Sequence, residues 1–279
     1  MERIAIVTGA SRGIGKGIAL ELGALGATVY LTGRTTQARG PLPGTVGETA
    51  ALVDALGGRG IGVACDHHDD GQVEALVGRV TGEHGRVDVL VNNVFSAPAL
   101  AQWLGRPFWE LPVEAWDEVI DIGVRSHYVA ARAVAPTMIA QGDGLIVNVS
   151  SSGAVQYAHT VSYGVGKAAL DRMTADMAHE LRPHGVAVVS LWPGLVRTEL
   201  VEMGAKDGAL ALPGEGVFDL RGAESPRFTG RAVAALVAGS SAGRMARSGR
   251  AFPVSELASE YGFTDVDGTV PHVLLRPDL

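Results

Sequence analysis

Residues 3–8, Arg3-Ile4-Ala5-Ile6-Val7-Thr8, form a short and nearly all-apolar run, and Gly9-Ala10-Ser11-Arg12-Gly13-Ile14-Gly15 follows at once. A strand buried on both faces reads as such an unbroken run, whereas a half-solvated strand alternates. The next apolar positions, Ile18, Ala19 and Leu22, have helical spacing. Gly9 allows a tight exit from the strand, and Gly13 and Gly15, without a Cβ, let a pyrophosphate approach backbone N–H groups. The anion then faces the positive end of the helix dipole. With 38 glycines in 279 residues, the spacing alone carries little weight. Its place between a strand and a helix is what makes it informative.

Six later segments repeat the character of the first strand: 28–32, 61–65, 87–91, 145–149, 186–191 and 250–254. Helical spacing fills 45–56, 72–83, 114–140, 162–181 and 231–237, with 114–140 interrupted at Gly123 and ending beyond Pro136. Strand and helix alternate throughout. That order predicts an α/β fold: one doubly wound, Rossmann-type domain spanning 1–279, with about seven parallel strands, helices on both faces and a ligand crevice off the strand C-termini. Gly40, Pro41, Pro43 and Gly44 make 35–44 an irregular loop. From 199 to 226 the chain is rich in Gly, Ala and charge with little period, which suits a mobile substrate lid. Residues 255–279 are read as a C-terminal extension.

The net charge of −7, without runs of like sign, argues against a surface that tracks nucleic acid. Cys65 is the single cysteine and lies in an apolar run, so an internal disulfide is impossible and a buried, inert thiol is expected. No stretch of 18 apolar residues occurs, and the first strand begins by residue 3 or 4 without a charged leader. A soluble cytoplasmic protein with no membrane partner is expected.

The end of the second strand bears on the coenzyme. A carboxylate there would bind the adenosine ribose hydroxyls of NAD and repel a 2′-phosphate; this chain has Gly33-Arg34. Arg34, helped by Arg12, can hold that phosphate through forked, charge-assisted hydrogen bonds, which favours NADP(H) over NAD(H). Asp66, at the end of the third strand, is placed to accept from the adenine amino group. The segment 95–116 concentrates Trp103, Phe108, Trp109, Pro98, Pro107 and Pro112. Three readings remain open for it: the wall of an apolar substrate pocket, a packed Ω-type loop, or a subunit contact.

Tyr163 and Lys167 are four residues apart in a helical segment and project from one face. An adjacent ammonium favours phenolate, bringing a hydroxyl that ordinarily titrates near pH ~10 toward working pH. Ser150-Ser151-Ser152, after the fifth strand, supplies a hydroxyl for a reacting oxygen. Together these are the parts of a hydride-transfer site: Tyr163 exchanges the proton and a serine steadies the oxygen. Counting along the strand from Gly144 selects Ser151, and counting back from Tyr163 selects Ser150. Burial fixes strand register, whereas loops change length easily, so Ser151 is preferred.

Thr8 to Gly15, Asn92-Asn93, the serine cluster, Tyr163-Gly-Val-Gly-Lys167 and Pro193-Gly194 together resemble the classical short-chain dehydrogenases/reductases, over residues 3 to about 254. A narrower likeness is to the dehydrogenase/reductase SDR family member 1 subgroup. It rests on 163–169, His179-Glu180-Leu181-Arg182, 190–194 and the tail residues Glu256-Leu257-Ala258, Tyr261-Gly262 and Asp265-Val266-Asp267-Gly268. The resemblance implies NADPH-dependent reduction of carbonyls, bulky ketones or steroids among them, by a homo-oligomer (dimer or tetramer). It assigns Ser151, Tyr163 and Lys167 to catalysis, Lys167 also to the nicotinamide ribose. Gly9, Ser11, Arg12, Gly13, Ile14 and Gly15 fall to the dinucleotide turn, Asp66, Asn92 and Asn93 to the adenine and ribose side, and Pro193, Gly194, Val196 and Thr198 to the carboxamide side. No metal is implied.

The chain departs from the family pattern twice. Gly123 stands where the family usually has an asparagine whose backbone carbonyl holds a water near the lysine; glycine keeps that carbonyl, so the relay is expected to survive. Val94-Phe95 replaces the usual Ala-Gly and adds bulk beside the crevice. The alternative to an enzyme is a dinucleotide-binding or sensing protein that keeps the sheet without turnover, against which Ser151, Tyr163 and Lys167 argue. A methyltransferase on a similar sheet would want an acid where Gly33-Arg34 stands.

Overall fold

The computed structural model describes residues 3–38, 40–213 and 216–271. The elements run β1 (Ile4–Val7), α1 (Gly13–Ala24), β2 (Thr28–Gly33), α2 (Val46–Ala55), β3 (Arg59–Ala64), α3 (Asp70–His84), β4 (Val89–Asn92), α4 (Ala97–Ala101), α5 (Glu114–Ile120), α6 (Ser126–Gln141) and β5 (Gly144–Val149). They continue with α7 (Val161–Leu181), β6 (Val186–Trp192), α8 (Glu199–Gly204), β7 (Ala209–Leu212), β8 (Gly216–Asp219), α9 (Pro226–Ala238), α10 (Ser241–Arg247), β9 (Ala251–Pro253) and α11 (Val254–Tyr261).

Seven strands form one parallel sheet in the order β3-β2-β1-β4-β5-β6-β9. Chain order reverses between β1 and β4, and a crevice opens off the strand ends there. Strand periodicity divides the core. Ala5 and Val7 of β1 join α1, α2, α9 and α11 on one face, whereas Ile4 and Ile6 join α3, α6 and α7 on the other. Apolar partners on both sides explain why β1 reads as an apolar run rather than an alternation. β3, at the sheet edge, is largely exposed and begins at Arg59, earlier than its apolar residues suggest.

The segment 114–140 is helical, with a π-helical turn over Asp121–Arg125 around Gly123 before α6 resumes and passes through Pro136. Residues 199–226 differ from the aperiodic stretch expected. They form α8, the antiparallel hairpin β7–β8 and a 3₁₀ turn at Leu220–Gly222, packed on Leu210, Leu220 and Ala223. Elements of three to six residues are too short to print a period on the sequence. Of the 255–279 extension, α11 and the turns to residue 271 are described; 272–279 lie outside the described residues. Cys65 is buried and free, and burial pushes its thiol up to about 11, so it is inert at neutral pH. No helix among the described residues is long and apolar enough to cross a membrane.

Candidate active site

A cleft of about 430 Å³ lies off the β1/β4 reversal, lined by the glycine turn, the ends of β2, β3, β4 and β5, the start of α7 and the chain from Pro193 to Val201. Its floor is built from backbone. Gly9 has φ +67°, and a Cβ on Gly15 would lie 2.4 Å from the Gly9 carbonyl oxygen, so the turn can close only with glycine there. α1 has no acidic residue in its first turn and no side-chain hydrogen bond from its N-cap residue Arg12, and of its first N–H groups that of Gly13 is held by the remote Glu199. That leaves donors facing the cleft for an anion. Asn93 braces the turn, donating from Nδ2 to the Thr8 and Gly9 carbonyls at 2.9 and 3.2 Å.

The catalytic candidates meet on the opposite wall. Tyr163, in the first turn of α7 under the Thr160 N-cap, donates from its hydroxyl to Ser151 Oγ at 2.9 Å. Gly153 makes room for that ring: a Cβ there would stand 2.7 Å from Tyr163 Cε1. Phe95 and His159 pack edge-on against the ring, at 5.7 and 4.7 Å between centroids. Ser150 is turned away, donating to the Lys167 carbonyl at 3.1 Å, so the strand count selects the serine that reaches Tyr163.

Lys167, one turn along, is 7% exposed. Its Nζ donates to the Val149 carbonyl at 3.0 Å and lies 4.9 Å from the Phe95 ring centroid and 5.6 Å from that of Tyr163. Burial lowers its amine to about 8, while Asp171, a further turn along, pulls the other way. Asp171 in turn accepts from Ser190 Oγ at 2.6 Å and Trp192 Nε1 at 2.9 Å, which locks α7 to β6. Gly123 sits in the π turn above this group, where a Cβ would meet the Phe95 ring at 3.2 Å. π turns recur at functional sites.

Among the other expected residues, Ser11, Arg12, Gly13, Ile14, Arg34, Asp66, Asn93, Pro193, Gly194, Val196 and Thr198 all line the cleft. Arg34 is exposed at the end of β2 with no ion-pair partner among the described residues. Arg12 is already engaged, donating to the Pro43 and Gly44 carbonyls at 2.9 Å each.

Asn92 departs from expectation, and of the three readings open for the aromatic loop the pocket wall holds only for its first residues. Asn92 does not line the cleft: it is fully buried, and its Nδ2 donates to Asn148 Oδ1 at 3.0 Å, tying β4 to β5. Adjacent strand residues point to opposite faces, so Asn92 and Asn93 cannot share a role. From the aromatic loop only Phe95, Ser96, Ala97 and Leu100 face the cleft; Trp103, Phe108 and Trp109 stand away from it.

Sequence reasoning also missed several residues. His67 and His159 line the cleft. His127 is buried behind it, its ring pushed down to about 3 by burial and therefore neutral. Glu199 Oε2 accepts from the Gly13 N–H at 2.8 Å, a carboxylate on the donors that suit an anion. That last contact joins residues 186 apart and has no local signal in the sequence.

The sequence profile described as short chain dehydrogenase matches residues 3–207. The mouse dehydrogenase/reductase SDR family member 1 is 44% identical over 274 residues, which cover 95% of this chain and 84% of that protein. A metagenomic short-chain oxidoreductase solved in complex with NADP superposes with a TM-score of 0.68 at 32% identity, over 86% of this chain and 92% of that one. A short chain dehydrogenase from Mycobacterium thermoresistibile reaches a TM-score of 0.81 at 25% identity, over 99% and 94%. Similarity along nearly the whole chain agrees with the parallel sheet and the cleft at its reversal point. The chain belongs to the short-chain dehydrogenase/reductase family, oxidoreductases acting on CH–OH and C=O groups.

Proposed function

We propose that the protein is an NADP(H)-dependent oxidoreductase interconverting a ketone or aldehyde with its alcohol, in a single domain whose 199–226 segment covers the substrate. The observation that carries this reading is the Tyr163 hydroxyl 2.9 Å from Ser151 Oγ, one helical turn from a buried lysine, on the wall of the cleft that the glycine turn floors. When bound, the nicotinamide supplies or takes the hydride at the substrate carbon. The chain does the rest. Ser151 hydrogen-bonds the substrate oxygen, Tyr163 gives that oxygen its proton in reduction and removes it in oxidation, and Lys167 as ammonium stabilises the tyrosinate left behind.

The fit to a dinucleotide follows from donor chemistry. The glycine-rich first turn of α1 suits a pyrophosphate that takes the Gly13 N–H from the Glu199 carboxylate, Asp66 suits the adenine amino group and Asn93 the adjoining ribose. Lys167 suits the nicotinamide ribose hydroxyls, and the stretch Pro193 to Thr198 the carboxamide. Val94, Phe95, Leu100, Leu195, Leu200 and Val201 give the remaining wall an apolar character that favours a ketone with an apolar body. A homo-oligomer is part of the same reading, supported by exposed Trp116, Tyr128, Val161 and Val165 on α5, α6 and α7; sedimentation measures it.

A panel of ketones and alcohols followed at the nicotinamide absorbance with both coenzymes tests the proposal. Turnover with NADP(H) on some member is expected, and no turnover on any member, with no coenzyme binding, would defeat it. Since Arg12 already serves the 35–44 loop, Arg34 is the guanidinium left for the 2′-phosphate. Arg34→Asp is therefore expected to lower kcat/KM with NADPH by about tenfold or more, the scale of one charge-assisted pair, and to spare NADH. Equal losses with both coenzymes would refute that role.

A further inference from the structure

The chain leaves β6 through Pro193 and Gly194, makes the excursion through α8 and the β7–β8 hairpin, and comes back to the same place at Glu224. At this neck the Glu224 N–H donates to the Leu195 carbonyl and the Arg197 N–H to the Glu224 carbonyl, both at 2.8 Å. The Glu224 side chain closes the neck: Oε1 accepts from the Gly194 N–H at 2.8 Å. The carboxyl is seated against backbone, since a Cβ on Gly194 would stand 2.8 Å from Oε1. Glu224 is 1% exposed, and its Oε2 has no hydrogen-bond partner among the described residues.

Behind the neck stands the C-terminal tail. The Asp265 carboxylate accepts from the Ser225 N–H at 2.6 Å and from the Ser225 hydroxyl. Arg231 on α9 holds the tail in place through the Thr264 and Asp265 carbonyls, at 2.6 and 2.9 Å. A continuous path therefore joins the tail to Ser225, Glu224 and Gly194, and Gly194, Leu195, Val196 and Thr198 line the same cleft as Lys167.

We propose that Glu224 is a positioning residue for the coenzyme: backed by Asp265, its carboxyl fixes the turn from Gly194 to Thr198 and holds together the two ends of the segment that covers the cleft. The inference rests on the coenzyme reading above. Burial pushes the Glu224 carboxyl up to about 8; the Gly194 N–H opposes that rise and the Asp265 carboxylate adds to it. At neutral pH the group is a neutral acid, so what it contributes is an acceptor rather than a charge. An acceptor can be supplied by an amide.

Three variants of the full chain separate this role from mere packing, read by NADPH fluorescence titration, thermal melting, and tryptic cleavage after Lys206 and Arg221 within the covering segment. Glu224→Gln keeps the acceptor and should bind NADPH within about twofold of wild type. Glu224→Leu leaves the half-buried Gly194 N–H without its acceptor and should weaken binding about tenfold or more, with faster cleavage and a KM for NADPH raised more than kcat is lowered. Asp265→Ala should move the same readouts in the same direction, by less. A folded Glu224→Leu protein that binds NADPH as wild type does, or a Gln variant as weak as the Leu variant, overturns the proposal. Should the Leu protein fail to fold, unchanged NADPH binding by Asp265→Ala overturns it instead. Wild type that neither binds NADPH nor reduces any carbonyl would remove the coenzyme reading itself, whereas normal wild-type binding beside an unaffected Leu variant removes only the role of Glu224.

Discussion

Tyr163→Phe is expected to lower kcat by about 10²- to 10⁴-fold, the usual contribution of a positioned proton donor, while coenzyme affinity and thermal stability stay close to wild type. The substitution deletes one oxygen and leaves the ring. Its edge-on contacts with Phe95 and His159 and its seat over Gly153 depend on the ring alone. The backbone N–H of residue 163 still donates to Thr160 Oγ1, so the start of α7 is untouched. What disappears is the donor 2.9 Å from Ser151 Oγ. Stopped-flow measurement with saturating coenzyme separates the chemical step from binding. Undiminished turnover would remove Tyr163 from the reaction and with it the reason for placing the substrate oxygen beside Ser151.

Some of this site is legible before any coordinates exist, for identifiable reasons. β1 and the turn from Gly9 to Gly15 can be read because a strand covered on both faces must be apolar throughout, and because the backbone approach of Gly15 to Gly9 excludes every side chain. Tyr163 and Lys167 can be read because one helical turn separates them, so local geometry alone brings them to one face. Ser151 follows from the register of β5, which burial enforces.

Residues whose partners are remote in sequence leave no such trace. Glu199 meets Gly13 and Arg12 meets Pro43 and Gly44 only once the sheet is assembled. Glu224 is an ordinary glutamate in a glycine- and charge-rich stretch until the return of the chain sets it against Gly194. Asn92 shows the converse error. A motif of two adjacent asparagines invites one shared role, but strand geometry sends the first into the core and leaves the second at the cleft. The segment 199–226 reads as irregular for a different reason: its elements are real but shorter than the window over which periodicity can be seen.

Lys167→Met should reduce turnover by at least about 10²-fold, the scale of losing one preorganised electrostatic partner, and should at the same time leave the fold as stable or more so. The second half follows from burial. The Lys167 amine is carried down to about 8 by desolvation, with the Asp171 carboxylate opposing, and the neutral ring of His127 adds no charge. In the unfolded chain a lysine titrates near ~10.4. Below pH 8 the folded protein therefore holds a poorly solvated ammonium, at a cost of roughly 3 kcal/mol relative to the unfolded state.

The sign in pH is definite. Between about 8 and ~10.4 the unfolded chain binds more protons at this residue than the folded one, so wild-type stability gains with rising pH through that window; methionine, of similar length and uncharged, has no such dependence. The lost hydrogen bond to the Val149 carbonyl offsets part of the gain, by about 1 kcal/mol. The melting temperature of the Met variant should thus equal or exceed that of wild type at pH 7, and the gap should close as the pH is raised toward 10. A lysine retained for packing would behave the opposite way, losing stability and keeping activity. Melting curves at several pH values, set beside turnover of the same samples, decide between the two: a destabilised, active Met variant would show that the ammonium serves the fold and not the chemistry.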